Sequence, residues 1–110
     1  MPKDYKLFLE DILEAIHKIH NYTSGLSLQA FTADAKTFDA VIRNLEIIGE
    51  AVKQIPEDIR SQCPQVEWKR IARLRDILIH QYFGVDAQIV WDIVQNKLTP
   101  LEQAVKFLHQ

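Results

Sequence analysis

The sequence has little cysteine, glycine and proline, and this scarcity excludes or disfavours several classes of fold. Its 110 residues include one cysteine, Cys63, so the chain cannot form an internal disulfide or a zinc site of several thiolates. Three glycines and four prolines supply few tight turns, which argues against a β-sandwich or β-barrel. No apolar run approaches the length of a membrane span, and the opening Met-Pro-Lys-Asp does not resemble a signal peptide. We therefore expect a cytoplasmic protein.

A marked excess of one charge is also missing. The formal net charge is -2 and the sequence pI is about 6.0, so any contact with nucleic acid must come from a local patch of cations. Hydrophobic residues make up 47% of the chain, which is typical of a soluble globular protein. The length predicts a single domain over residues 1–110, large enough for a core without covalent staples.

Apolar residues recur at spacings of three and four along most of the chain, which predicts α-helices. We expect helices over residues 4–21, 32–55, 67–83, 87–98 and 101–109, with one further turn within 57–62. Asp4 and Asp86 are suitable N-caps, Pro56 stops the second helix, and Gly84 is a C-cap for the third. The predicted fold is all-α, a compact up-and-down bundle of four to five helices.

Gly49 lies inside the apolar stripe of the helix predicted over 32–55. Because glycine has no Cβ, a neighbouring backbone can approach closely at such a position. We therefore expect another helix to pack tightly against this point.

The helix predicted over 67–83 places a cation on its apolar face. At about 100° per residue, Arg75 lies at the centre of a face. That face also carries Trp68, Ile71, Ala72, Leu78, Ile79 and Tyr82. A buried guanidinium is costly unless it pairs with a carboxylate or meets an anionic ligand. Asp76 and His80 are four residues apart and share an adjoining polar edge.

Two interpretations of Arg75 follow from these residues. In the structural one, Arg75 forms a core ion pair with Glu46 or Glu50, and removing it unfolds or monomerises the chain. In the functional one, Arg75, His80 and Tyr82 share one helical segment because they form a site.

The string from Arg75 to Tyr82 has the form R-x4-H-x-Y. It resembles the signature of the HEPN superfamily, and closely that of its HepT-like branch. Residues 43–51, Arg-Asn-Leu-Glu-Ile-Ile-Gly-Glu-Ala, resemble the second-helix motif of that branch. Residues 82–86, Trp91 and the Leu-Thr-Pro-Leu at 98–101 are similar to its C-terminal half. The resemblance covers nearly the whole chain.

The resemblance implies a helical bundle that forms a homodimer, with the two R-x4-H-x-Y segments meeting in a cleft at the interface. It implies a metal-independent endoribonuclease that needs no cofactor and acts as the toxin of a toxin–antitoxin pair. Its antitoxin would be a nucleotidyltransferase of the MNT type, which neutralises the toxin by transferring AMP to Tyr82. Transfer RNA and messenger RNA are both candidate substrates.

The residue types suit this chemistry. His80 can act as an acid or a base near neutral pH, and Arg75 can bind phosphate oxygens through two donors. Tyr82 can donate a hydrogen bond to the phosphate, and Asp76 can orient His80. The family commonly has Asn or another polar residue at the position of Asp76, so its negative charge here counts against strong activity.

Three further cations, Lys69, Arg70 and Arg73, are candidates for binding flanking RNA phosphates. The alternative function is a non-catalytic interaction module that binds a nucleotide or its nucleotidyltransferase partner. A metal-binding bundle is disfavoured, because Glu14 and His17 form one E-x-x-H pair and no second pair exists.

Overall fold

The computed structural model describes residues 4–80 and 86–110, apart from the side chains of Ile79 and His80. Its α-helices are α1 (Tyr5–Thr23), α2 (Leu28–Ala33), α3 (Ala35–Lys53), α4 (Glu57–Arg60), α5 (Trp68–Ala72), α6 (Leu74–His80), α7 (Ala87–Asp92) and α8 (Leu98–His109). A single π-helical segment, Ile93–Lys97, joins α7 to α8. No β-strand occurs within these ranges, and the all-α prediction is confirmed.

The long helices α1 and α3 pack against each other at the centre of the core. Helix α8 packs on α1, while α5 and α6 pack on α3. The fully buried side chains recur at the predicted spacings: Leu9, Ile12, Ile16 and Ile19 on α1, Val41, Leu45, Ile48 and Val52 on α3, and Leu101 and Val105 on α8. Within the described ranges, no helix is both long and apolar enough to cross a bilayer.

The predicted helix over 32–55 is wrong at both ends. A separate helix, α2, occupies part of the expected connector, and the backbone is extended at Asp34 before α3 begins. Asp34 is the N-cap of α3: its carboxylate accepts the backbone N–H of Thr37 at 3.2 Å and the Thr37 hydroxyl at 2.7 Å. These local hydrogen bonds compete with the continuation of a helix through Asp34. At the other end, α3 stops at Lys53 rather than at Ile55.

The single helix predicted over 67–83 is also wrong. It is divided at Arg73, whose N–H donates to the carbonyl of Arg70 at 3.2 Å and so tightens the turn between α5 and α6. The predicted end near residue 83 and the C-cap Gly84 lie outside the described residues.

The C-terminal part is continuous where two helices were expected. Asp86 caps α7 as predicted, accepting the N–H of Gln88 at 2.9 Å. However, the π segment then leads directly into α8, which begins at Leu98 rather than at Leu101. Pro100 has no N–H to donate to the preceding turn, which favours a departure from regular α-helix there. Val94 and Leu98, on either side of this junction, are both buried in the core.

Gly49 marks a contact between backbones, as predicted. A Cβ at this position would lie 3.1 Å from the carbonyl oxygen of Ile71 and 3.4 Å from the amide nitrogen of Arg75. Both atoms belong to the main chain, so neither can swing aside as a side chain would. The absence of a Cβ at Gly49 therefore sets how closely α3 approaches α5 and α6.

We expect Gly49→Ala to destabilise the protein. Alanine favours the helix by up to about 1 kcal/mol, but overpacking against main-chain atoms costs about 1–3 kcal/mol. Urea unfolding measures the balance, with Ala40→Gly calibrating helix propensity on the same helix. A variant as stable as the wild type would contradict the close contact.

The cap at Asp34 predicts a dependence of stability on pH. The hydrogen bond from the Thr37 hydroxyl, followed by that from the Thr37 N–H, lowers the pKa of the Asp34 carboxyl below its usual 3.8. The stabilisation is therefore complete above the unfolded pKa and is lost as the pH falls through the lower folded pKa.

Asp34→Asn keeps an acceptor at the cap but removes the charge. We expect its Tm to lie below that of the wild type at neutral pH and to converge with it in acid. Asp39→Asn, on the exposed face of the same helix, corrects for the loss of one negative charge. A difference in Tm that is the same at every pH would contradict this assignment.

Candidate functional site

Arg75 lies beside α3 because the contact at Gly49 brings the two backbones together. Its Nη1 is 3.4 Å from Oε1 of Glu50, and the same oxygen lies 3.2 Å from Nζ of Lys53. The predicted pairing of Arg75 with Glu50 is confirmed. Its predicted burial is wrong, since the side chains of Arg75 and Glu50 are 48% and 45% exposed.

The length of its side chain explains why Arg75 is not buried. The main chain of Arg75 faces α3, with its amide nitrogen 3.4 Å from where a Cβ at Gly49 would lie, but the side chain extends out of the interface into solvent. On α6 the buried residues are Leu74 and Leu78, which face the core on either side of Arg75 in sequence. Arg75 therefore lies at the edge of the α3–α6 interface, where its guanidinium reaches solvent.

Arg75 opens onto a groove between α1, α3 and α6, which we call the Arg75 groove. Its volume is ≈ 510 Å³, and it is lined by Phe8, Asp11, Arg43, Glu46, Ile47, Glu50, Ala51, Gln54 and Arg75. Three carboxylates and two guanidiniums thus share this groove. Such a mixture can bind an anion where the guanidiniums project, but it lacks the uniform positive charge of an extended RNA-binding surface.

The other residues of the predicted site are placed less completely. Asp76 lies in the first turn of α6 and is exposed. His80 is the last residue of α6, one helical turn after Asp76, but its side chain lies outside the described structure. Tyr82 also lies outside it. The convergence of Arg75, His80 and Tyr82 therefore stays a prediction.

The predicted phosphate-binding cations are all exposed on α5 and the turn after it. Lys69, Arg70 and Arg73 line a second groove on the other side of α6. Arg70 pairs with Glu67 at 3.4 Å. Arg60, which the sequence analysis missed, lines the same groove. Arg60 is close in sequence to the other three cations. Its position next to them in space depends on the irregular backbone of residues 61–67, which no periodic pattern predicts.

Three other residues of types that often serve in catalysis or metal binding have structural roles here. The indole N–H of Trp68 donates to the carbonyl of Cys63 at 2.9 Å, and both side chains are buried. The ring of Trp91 packs on that of Phe31 with centroids 5.0 Å apart. Glu14, proposed in the disfavoured metal pair, forms an exposed ion pair with Lys18 at 3.3 Å.

Comparison with known proteins identifies the family. The model of a family described as ribonuclease HepT-like matches residues 12–108. The chain belongs to the HepT-like ribonuclease family. The Arg75 groove is thus the part of a HepT-like protein that contains the arginine of its R-x4-H-x-Y string.

Relatives of this HepT-like chain carry consistent names. The "Putative RNase MJ0127" of Methanocaldococcus jannaschii is 54% identical over 99 residues, which cover 89% of this chain and 82% of the relative. The "Probable ribonuclease HepT" of Thermococcus cleftensis is 46% identical over 102 residues, 93% of each chain. The "Putative RNase TTE0752" of Caldanaerobacter subterraneus is 41% identical over 103 residues, 94% of this chain and 92% of the relative. No solved structure gives a significant match.

The exposure of the Arg75–Glu50 pair predicts how the fold responds to its loss. An exposed ion pair contributes about 0–1 kcal/mol, whereas breaking a buried one costs about 3–5 kcal/mol. We therefore expect Arg75→Ala and Glu50→Gln each to lower the free energy of unfolding by no more than about 1 kcal/mol, measured by urea denaturation. A loss of several kcal/mol would restore the structural interpretation of Arg75.

Proposed function

We propose that this HepT-like protein is a metal-independent endoribonuclease in which Arg75 and His80 carry the reaction. The observation that supports it most is the half-exposed guanidinium of Arg75, within the R-x4-H-x-Y string of a chain from a ribonuclease family. An exposed ion pair is weak, so an RNA phosphate can displace Glu50 from Arg75 with little loss of free energy.

The proposed reaction uses the nucleophile that RNA itself carries. A base removes the proton of the ribose 2′-hydroxyl, and the 2′-oxygen attacks the adjacent phosphorus. The bond from phosphorus to the 5′-oxygen breaks, and an acid gives that oxygen a proton. Arg75 stabilises the additional negative charge on the phosphate oxygens in the transition state. His80 has a side chain suited to the proton transfers.

A homodimer supplies the second histidine that this scheme requires. If the two R-x4-H-x-Y segments meet across the interface, one His80 acts as the base and the other as the acid. Each subunit then contributes an Arg75 to the same phosphate. Tyr82 hydrogen-bonds to the phosphate, and Asp76, one turn before His80, orients the imidazole.

The biological role that fits this activity is that of a toxin with an MNT-type nucleotidyltransferase as its antitoxin. The hydroxyl of Tyr82 attacks the α-phosphorus of ATP, loses its proton and becomes joined to AMP, while pyrophosphate leaves. The added nucleotide fills the place of the RNA phosphate beside Arg75. This mechanism neutralises the toxin without unfolding it.

A second candidate is a non-catalytic module that binds a nucleotide or the nucleotidyltransferase. It is favoured by one observation, the presence of Asp11, Glu46 and Glu50 in the Arg75 groove. Three carboxylates oppose the approach of a long polyanion but leave room for one phosphate or for a protein surface with matching cations.

Cleavage of an RNA pool in EDTA tests the proposed activity. We expect the unmodified wild type to cut, and His80→Ala to lower the rate about 10²–10⁴-fold because acid–base catalysis is lost. His17→Ala is the matched control, since His17 is exposed on α1 and lines neither groove. Its rate should equal that of the wild type.

Intact mass makes a negative result decisive. A wild type that carries an added AMP, absent from Tyr82→Phe, would be the neutralised form and should cut after the AMP is removed. A wild type of unmodified mass that cuts no RNA would contradict the nuclease and favour the interaction module.

A further inference from the structure

The second groove, which we call the Arg60 groove, lies between α4 and the α5–α6 segment. Helix α6 separates it from the Arg75 groove, because Arg73 and Ile77 line the Arg60 groove whereas Arg75 lines the other. The Arg60 groove has a volume of ≈ 750 Å³. Its charged residues are Arg60, Lys69, Arg70 and Arg73 together with Glu57 and Glu67.

The Arg60 groove has more cations than carboxylates, and most of these cations form no ion pair within the described residues. Glu67 is occupied by Arg70 at 3.4 Å and lies 4.0 Å from Lys97. Arg60, Lys69 and Arg73 have no carboxylate within ion-pair distance in residues 4–80 and 86–110. In a chain of net charge -2, the lining of this groove therefore has two more cations than carboxylates.

Arg60 provides an independent indication of an anionic ligand. Its Nε is buried and has no hydrogen-bond acceptor within the described part of the chain. Buried donors in native proteins are nearly always paired with protein, water or a ligand, so we expect an oxygen atom from outside the chain to pair with this one. The neighbouring cations Lys69 and Arg73 favour an acceptor that is negatively charged.

The base of the groove is apolar. The buried residues Val66 and Trp68 line it together with Ile77, which is 38% exposed and lies one helical turn after Arg73. A repeating anion whose phosphates alternate with less polar sugars and bases matches this arrangement better than a small inorganic anion does. The exposed face of Ile77 can contact a sugar or base while Arg73 binds the adjoining phosphate.

We propose that the Arg60 groove binds the backbone of single-stranded RNA beside the scissile bond, with Arg60, Lys69 and Arg73 contacting phosphates. This inference rests on the proposed nuclease function and adds its substrate path. Arg73 and Arg75 are two residues apart, so a strand that crosses α6 can occupy both grooves at once. Arg70 pairs with Glu67 at 3.4 Å, and a phosphate can displace this exposed ion pair as it can that of Arg75 with Glu50.

Binding of an uncleavable RNA tests the groove separately from the chemistry. The probe is a short single-stranded RNA with methylated 2′-hydroxyls, titrated in EDTA at several salt concentrations. We expect Lys69→Gln/Arg73→Gln to weaken binding roughly tenfold and to lower the slope of log affinity against log salt by about 1.4, since two phosphate contacts are lost.

The matched control is Lys18→Gln/Lys106→Gln, which also removes two exposed positive charges but lies outside the Arg60 groove. It should bind within about twofold of the wild type. Arg60→Met, which retains the aliphatic stem, should weaken binding while the Tm identifies any loss of fold.

Each outcome decides the inference. Equal affinity of the groove variant and the charge control would overturn it, and would leave an acidic protein surface as the ligand of the groove. Absence of binding by the wild type would overturn it as well. Neither result would contradict the proposed nuclease activity, because that activity is tested by the cleavage of unmethylated RNA and by its dependence on His80.

Discussion

The close contact of α3 with α5 and α6 at Gly49 is the constraint on which the arrangement depends. Main-chain atoms of Ile71 and Arg75 occupy the space that a Cβ would need. This contact brings Arg75 next to Glu50, and it fixes which sides of α6 remain open. One side forms the Arg75 groove and the other the Arg60 groove. A larger residue at position 49 would therefore disturb packing and both grooves together.

In the function proposed above, the two grooves divide the work that an RNA-cutting site requires. The Arg75 groove holds mixed charges, which suits the selective binding of one phosphate, while the Arg60 groove carries the cations that an extended strand needs. The net charge of -2 does not reveal this separation, because a sum over the chain does not show where the charged residues lie on the surface. Under this proposal, local charge explains how a slightly acidic HepT-like chain acts on a polyanion.

Sequence periodicity predicted the long helices, the caps Asp4 and Asp86, and the role of Gly49, because these depend on local patterns. It failed at Asp34 and Arg73, where hydrogen bonds of single residues interrupt an otherwise helical pattern. The predicted burial of Arg75 was wrong for a different reason, because its main chain faces α3 while its long side chain extends into solvent. The R-x4-H-x-Y string identified the candidate site through resemblance. Arg60 could be recognised as a groove residue only from the structure, because its position depends on the irregular segment that follows it.

The central claim is that the RNA supplies the nucleophile and that no metal is needed. The most direct measurement is to cut a defined RNA in EDTA, identify the new ends, and repeat the reaction with a single 2′-deoxyribose at the cleaved position. The account predicts a 2′,3′-cyclic phosphate and a 5′-hydroxyl from the RNA, and no cleavage at the deoxyribose. Cleavage at that deoxyribose, or products with a 5′-phosphate, would contradict it.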